Sequence, residues 1–179
     1  MTAGLVPPAN RRLRAAGVLA AFRDGPSGPE LLLTKRSPRL RHHPGQIAFP
    51  GGKLDPGDAD PIAAALREAR EEIGLGPSQV ELLGTMSPHE TVTGFLCTPV
   101  FGWIAGEFTP VPEAGEVAEV FSVPLAHVAD LSRYRLERRR WLGEWRAYWS
   151  VPYGPYYIWG ATARMLKALA ERMAHEDRG

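Results

Sequence analysis

Apolar positions along the chain recur at two periods. In residues 61–75, Ile62, Ala65, Leu66, Ala69 and Ile73 fall at helical spacing, and the ends of the stretch agree. Asp60 is a good N-cap, and Pro61 follows at the first helical position, where a missing N–H costs little. Gly74 supplies a left-handed residue past the end, with Leu75 placed for the accompanying hydrophobic contact. A second stripe, Met165, Leu166, Leu169 and Met173, predicts a helix over residues 161–173. Elsewhere apolar runs bounded by turn residues predict strands. Residues 15–22 and 30–36 read as a hairpin around the Asp24-Gly25-Pro26-Ser27-Gly28-Pro29 loop. Residues 79–86 alternate, and residues 96–104 form a strongly apolar central strand. Residues 124–130 read as a short helix. Residues 145–151 and 153–159 read as strands split by proline and glycine, and 87–94 and 106–115 as loops.

Interleaved strands and helices of this kind imply an α/β or α+β fold. No repeat, low-complexity tract or linker marks a second domain, so residues 15–179 are expected to form one domain. Residues 1–14 form a basic arm with Pro7, Pro8, Arg11, Arg12 and Arg14. It runs straight into the first strand, so a surface tail is the better reading than a transit peptide. The net charge of +1 sets up no overall field toward nucleic acid or an anionic membrane, and neither is expected as a partner. No apolar run approaches the ~20 residues of a membrane span. The single cysteine, Cys97, excludes an internal disulfide and fits a reducing cytoplasm. Lying in an apolar run, it reads as a buried inert thiol. The arginine run Arg133, Arg135, Arg138, Arg139 and Arg140, with Tyr134 and Trp141, could bind single-stranded nucleic acid. With net charge near zero, a solvated edge or hairpin is the preferred reading.

The first helix carries the chemistry. Glu68, Glu71 and Glu72 fall within roughly a 100° arc of one face and repel one another. Arg67 and Arg70, as neighbours of Glu71, offset part of that repulsion, and a hard divalent cation would remove it. Most charged helix faces are simply solvated. What distinguishes this one is the Gly51-Gly52 turn ahead of it, which lets backbone carbonyls approach whatever the carboxylates hold. Upstream, a strand runs into a cation-rich loop. Its Arg36, Arg39 and Arg41 are suited to bidentate contact with phosphate oxygens. The adjacent His42 and His43 read as solvated or hydrogen-bonded rather than as metal ligands.

Gly52, five residues, Asp58, eight residues, then Arg67-Glu68-Ala69-Arg70-Glu71-Glu72-Ile73-Gly74-Leu75 resembles the Nudix box. Two departures stand out: Asp58 in place of the usual glutamate, and one extra residue before the helix. The preceding Leu32, Leu33, Thr34, Arg36, Ser37, Arg41, Gly45, Phe49, Pro50, Gly51 and Gly52 match the fixed positions of the coenzyme A diphosphatase signature. The boxes of that family are similar to this one in both departures.

The resemblance implies a Nudix α/β/α sandwich with a mixed β-sheet, needing Mg2+ or Mn2+. It implies a small-molecule substrate, coenzyme A or an acyl derivative, cut at the diphosphate into 3′,5′-ADP and 4′-phosphopantetheine. It also implies Glu68, Glu71 and Glu72 as metal ligands with the Gly52 carbonyl, and Arg67 as the residue that orients the carboxylates. Residues 116–125 resemble a late Nudix segment, an acidic loop entering a short strand that ends in Val123-Pro124-Leu125. The late carboxylate, ligand or base, would be Glu116, with Glu113 and Glu119 behind it. Two alternatives stay open: hydrolysis of another nucleoside diphosphate derivative, or a non-catalytic Nudix-fold binder of nucleotide or RNA.

Overall fold

The computed structural model describes residues 12–176, and its main sheet is assembled on β1 (Arg14–Gly25). On one edge β1 pairs antiparallel with β2 (Gly28–Arg36) near its end and with β4 (Gly51–Lys53) near its start. On the other edge it runs parallel to β7 (Phe95–Ile104). β2 carries β3 (Ile47–Ala48) and β8 (Val117–Pro124), and β7 carries β5 (Val80–Thr85) and β6 (His89–Glu90). Among the described residues, one parallel pair among antiparallel ones makes this a mixed, eight-stranded sheet.

Period-two alternation sends neighbouring side chains to opposite faces. On β2, Leu32 joins one core while Leu31 and Leu33 join the other, and all three are fully buried. Each such leucine contributes roughly 1.5–3 kcal/mol of hydrophobic stabilisation. On the Leu32 face lies α1 (Pro61–Ile73), whose Ala65, Ala69 and Ile73 pack with Leu19, Val100 and Ile104. On the other face lie α2 (Leu125–Ala129) and α3 (Gly160–Glu176), with Ala163, Leu166 and Ala170 against Phe22, Leu33 and Val123. The result is the expected α/β/α sandwich.

The caps of α1 are as expected: the Asp60 carboxylate accepts from the Ala63 N–H at 2.8 Å, and Gly74 is left-handed at φ 75°. Gly17 lets α1 sit close, because a Cβ there would lie 1.8 Å from the Pro61 carbonyl oxygen. Burial pushes the Cys97 thiol up to about 11, in keeping with an inert thiol.

Three expectations need correction. The loop 24–29 is shorter than read: β1 and β2 stay paired out to Gly25 and Gly28, because backbone pairing continues through polar residues such as Arg23, which pairs with Glu30 at 2.7 Å. Residues 153–159 are not a strand. Pro152 and Pro155 carry no N–H, and only isolated bridges form, Tyr153 to Tyr156 and Ser150 to Trp159. The loop 87–94 contains the two-residue β6. Four of the five arginines of the run, Arg135, Arg138, Arg139 and Arg140, do lie in a hairpin, β9 (Arg135–Trp141) with β10 (Glu144–Ser150), a separate two-stranded ribbon, while Arg133 sits in the turn before it and pairs with Asp130. Of the basic arm, residues 1–11 lie outside the described residues, and Arg14 begins β1.

Candidate active site

Where β2 leaves β1, the edge of β1 is taken over by β4, and this places Gly51 and Gly52 under α1. Glu72, 5% exposed, points in from the helix and accepts from the Gly51 N–H at 3.3 Å. One turn earlier the Glu68 carboxylate lies so close that a Cβ on Gly52 would be 2.2 Å from its Oε1. Only glycine leaves that space open. Burial first, then Glu68 and more weakly Glu116, push the Glu72 carboxyl up to about 8, against the pull of the Gly51 amide and Arg36. Burial raises Glu68 as well, opposed by Arg67.

Arg67 is the organising cation. Its Nε and Nη2 donate to Asp58, with Nη2 to Oδ2 at 2.9 Å, and Nη2 also reaches the Lys53 carbonyl at 3.2 Å. Its Nη1 pairs with Glu68 at 3.1 Å and Glu71 at 3.2 Å. Those hydrogen bonds hold Asp58 below the usual carboxylate range and keep Arg67 more firmly protonated. Asp58 therefore has a task that the sequence left unassigned, anchoring the arginine that faces the glutamates. Arg70, expected to share in offsetting the carboxylates, is exposed and makes no ion pair among the described residues.

The loop after β7 is tied to the end of α1 by Val111 N–H to the Ile73 carbonyl and Glu113 N–H to the Glu72 carbonyl, both 2.9 Å. This brings Glu116 toward the Glu68 and Glu72 carboxylates, and the three late glutamates have different surroundings. The Glu113 carboxylate accepts from the Glu116 N–H at 2.9 Å and shapes the turn. Glu119 accepts from the Tyr156 hydroxyl. Glu116 keeps its carboxylate exposed, near enough to raise both Glu68 and Glu72. Glu116→Gln is therefore expected to lower turnover more than Glu113→Gln or Glu119→Gln. Steady-state rates of the three variants check this, and any other ranking moves the late-carboxylate role to the residue with the largest loss.

Arg36, at the end of β2, exerts its charge on Glu72, and its buried Nε has no hydrogen-bond partner among the described residues. Arg39 and Arg41 lie exposed on the loop after β2, which is closed at its base by Gly45 N–H to the Arg36 carbonyl at 3.1 Å. They are not gathered with the carboxylates. Nor do they pair with Asp55 or Asp58, whose partners are Lys53 and Arg67.

The donor set suits a hard divalent cation: clustered glutamate oxygens, one of them on a buried carboxylate whose neighbours disfavour its charge, beside a glycine that leaves the space free. Among the described residues no three carboxylate, imidazole or thiol side chains are already gathered around one point. Arg67 gives the reason, since it draws Glu68 and Glu71 to itself.

A mixed sheet between helices, with a glutamate-bearing helix seated on a Gly-Gly turn, is the arrangement that the sequence resemblance implies. The NUDIX domain model matches residues 11–145, and the chain belongs to the Nudix family. It is 44% identical over 172 residues to the uncharacterized Nudix hydrolase NudL of Escherichia coli (strain K12), covering 93% of this chain and 88% of that protein. It is 46% identical to the protein of the same name in Citrobacter koseri, over 90% of this chain and 82% of the relative. Among solved structures it is similar to the M. smegmatis Nudix hydrolase RenU (27% identity, TM-score 0.56, 68% of this chain and 83% of that one). The chain is thus a Nudix hydrolase acting on the diphosphate bond of a nucleoside diphosphate derivative, in a family that generally needs divalent metal ions.

Proposed function

We propose that this chain hydrolyses coenzyme A, or an acyl derivative, at its diphosphate, releasing 3′,5′-ADP and 4′-phosphopantetheine in the cytoplasm with Mg2+ or Mn2+. The observation that carries the choice of substrate is the segment from Leu32 to Gly52. It resembles the coenzyme A diphosphatase signature at every fixed position, and its Arg36 has a buried guanidinium nitrogen without a partner beside Glu72.

Glu68, Glu71 and Glu72, with the Gly52 carbonyl, would hold the cation. When bound, it neutralises the diphosphate and acidifies a water. Glu68 and Glu71 leave Arg67 to take up this role, while Asp58 keeps Arg67 in place beside them. Glu116, whose carboxylate has no hydrogen-bonding task among the described residues, takes the proton of the attacking water. Arg36 meets the phosphate oxygens with its free donor.

The feature that separates coenzyme A from its dephospho form is the 3′-phosphate. Arg41 or Arg39 is assigned to it, since both are exposed on the loop that Arg36 begins and neither is spent on an aspartate. A charge-assisted contact worth about 1.5–3 kcal/mol corresponds to roughly a tenfold to hundredfold preference for coenzyme A. Kinetics on both substrates, with products identified by mass, test the reading. The assigned Arg→Ala change should erase the preference while the dephospho form is cut as before. Equal losses on both substrates would remove the loop arginines from 3′-phosphate recognition. Intact coenzyme A beside a cleaved dinucleotide or nucleotide sugar would overturn the substrate itself.

A further inference from the structure

The β9–β10 hairpin is anchored at its base and free at its tip. At the base, Trp149 lies under the Lys167 ammonium of α3 at 4.6 Å, and Glu137 accepts from Ser150 at 2.6 Å and Tyr157 at 3.0 Å. At the tip, Trp141, Leu142 and Trp145 are 53%, 87% and 71% exposed. Leu142 is also out of place locally. Its φ of 49° and the 85° of Gly143 describe a tight turn in which Asn-Gly or Asp-Gly is the favoured pair. A leucine there strains the backbone and exposes an apolar side chain, so the turn itself gains nothing from it.

Behind the tip stands a collar of cations. Arg139 lies directly opposite Arg146, an unfavourable like-charge pair, and Arg138 and Arg140 lie on the other face. Among the described residues none of these four makes an ion pair, and the Arg146 Nε is buried without a partner. Within the hairpin, Glu144 is the only carboxylate at the tip among the described residues, since Glu137 is held by hydroxyls at the base.

We propose that this tip docks end-on to an anionic lipid bilayer surface, with its tryptophans and leucine at the acyl boundary and its arginines among lipid phosphates. Tryptophan prefers that depth, and cations near an anionic leaflet are attracted to it. Two other occupants fit less well. Bases of a single nucleic-acid strand stack along one face, but the register places Trp145 with Arg140 on one face and Trp141 with Glu144 on the other. A second copy of the chain needs about 800 Å2 per partner, whereas three tip side chains offer roughly 500 Å2. The net charge of +1 does not reveal such a surface because it averages the collar with the carboxylates of the body.

Co-sedimentation of the full chain with vesicles tests the proposal. The bound fraction should rise about tenfold or more from phosphatidylcholine to phosphatidylcholine mixed with phosphatidylglycerol. Replacing Arg138, Arg139 and Arg140 together by Gln should return it to the phosphatidylcholine level. Leu142→Asn suits the turn, so it should melt no lower than the parent and yet bind the mixed vesicles severalfold less. The proposal is overturned if the parent shows no preference for the anionic vesicles, or if both variants bind them as the parent does. It is also overturned if the arginines and Leu142 are needed for binding a thymidine oligonucleotide or for self-association but not for vesicles.

Discussion

Glu72→Gln should lower turnover of the diphosphate substrate by several orders of magnitude while leaving the fold intact. The amide keeps the size of the side chain, and its oxygen can still accept from the Gly51 N–H, so the packing of α1 on the Gly-Gly turn has no reason to change. What would be lost is one negative oxygen of the proposed ligand set, and residues that act as a unit lose far more than an additive share when one is removed. The substitution is also the cleanest available at this site. Glu68 and Glu71 are tied to Arg67, so changing either also disturbs the arginine. Glu72 makes no ion pair with Arg67. A variant with near-parental turnover and an unchanged circular dichroism spectrum would remove Glu72 from the ligand set.

Without metal, the same residue should make the protein less stable as pH rises, the reverse of the behaviour of a salt-bridged carboxylate. The folded-state pKa of Glu72 is raised from its ordinary 4.5 to about 8. Between those values the folded form holds a proton that the unfolded form has released, so stability falls as pH increases and levels off above the folded pKa. At ~1.4 kcal/mol per pH unit the loss is on the order of a few kcal/mol. Glu72→Gln carries no proton to lose. In chelator its stability should therefore fall much less between pH 5 and pH 8 than that of the parent, and it should be the more stable of the two at the upper end. Denaturant midpoints at both pH values give the comparison, and parallel pH profiles would mean that Arg36 and the Gly51 amide already compensate the buried charge.

How much of this could be read from the chain follows from how local each feature is. Helix α1, its Asp60 and Gly74 caps and the carboxylate face are set by residues within four positions of one another, and all were legible. The pairing of Arg67 with Asp58 spans nine residues across an irregular loop, and only the fold reveals it. The late glutamates were legible as a group, but their sorting depends on tertiary contacts: Glu113 with its own turn, Glu119 with Tyr156, Glu116 facing the site. Residues 153–159 misled because aromatic residues favour strands, while the prolines beside them removed the donors a ladder needs. Arg36, Arg39 and Arg41 looked alike in sequence, yet only Arg36 is part of the strand that reaches Glu72.

The carboxylates of α1 and the Gly51-Gly52 turn are the proposed seat of a divalent cation. The most direct measurement is a titration of Mn2+ into the metal-free chain, followed by the paramagnetic resonance signal of the free ion. The parent should take up Mn2+ and silence the signal until its sites are filled, whereas Glu72→Gln should leave most of the ion free over the same range. Equal uptake by the two proteins would contradict the account and place the metal elsewhere.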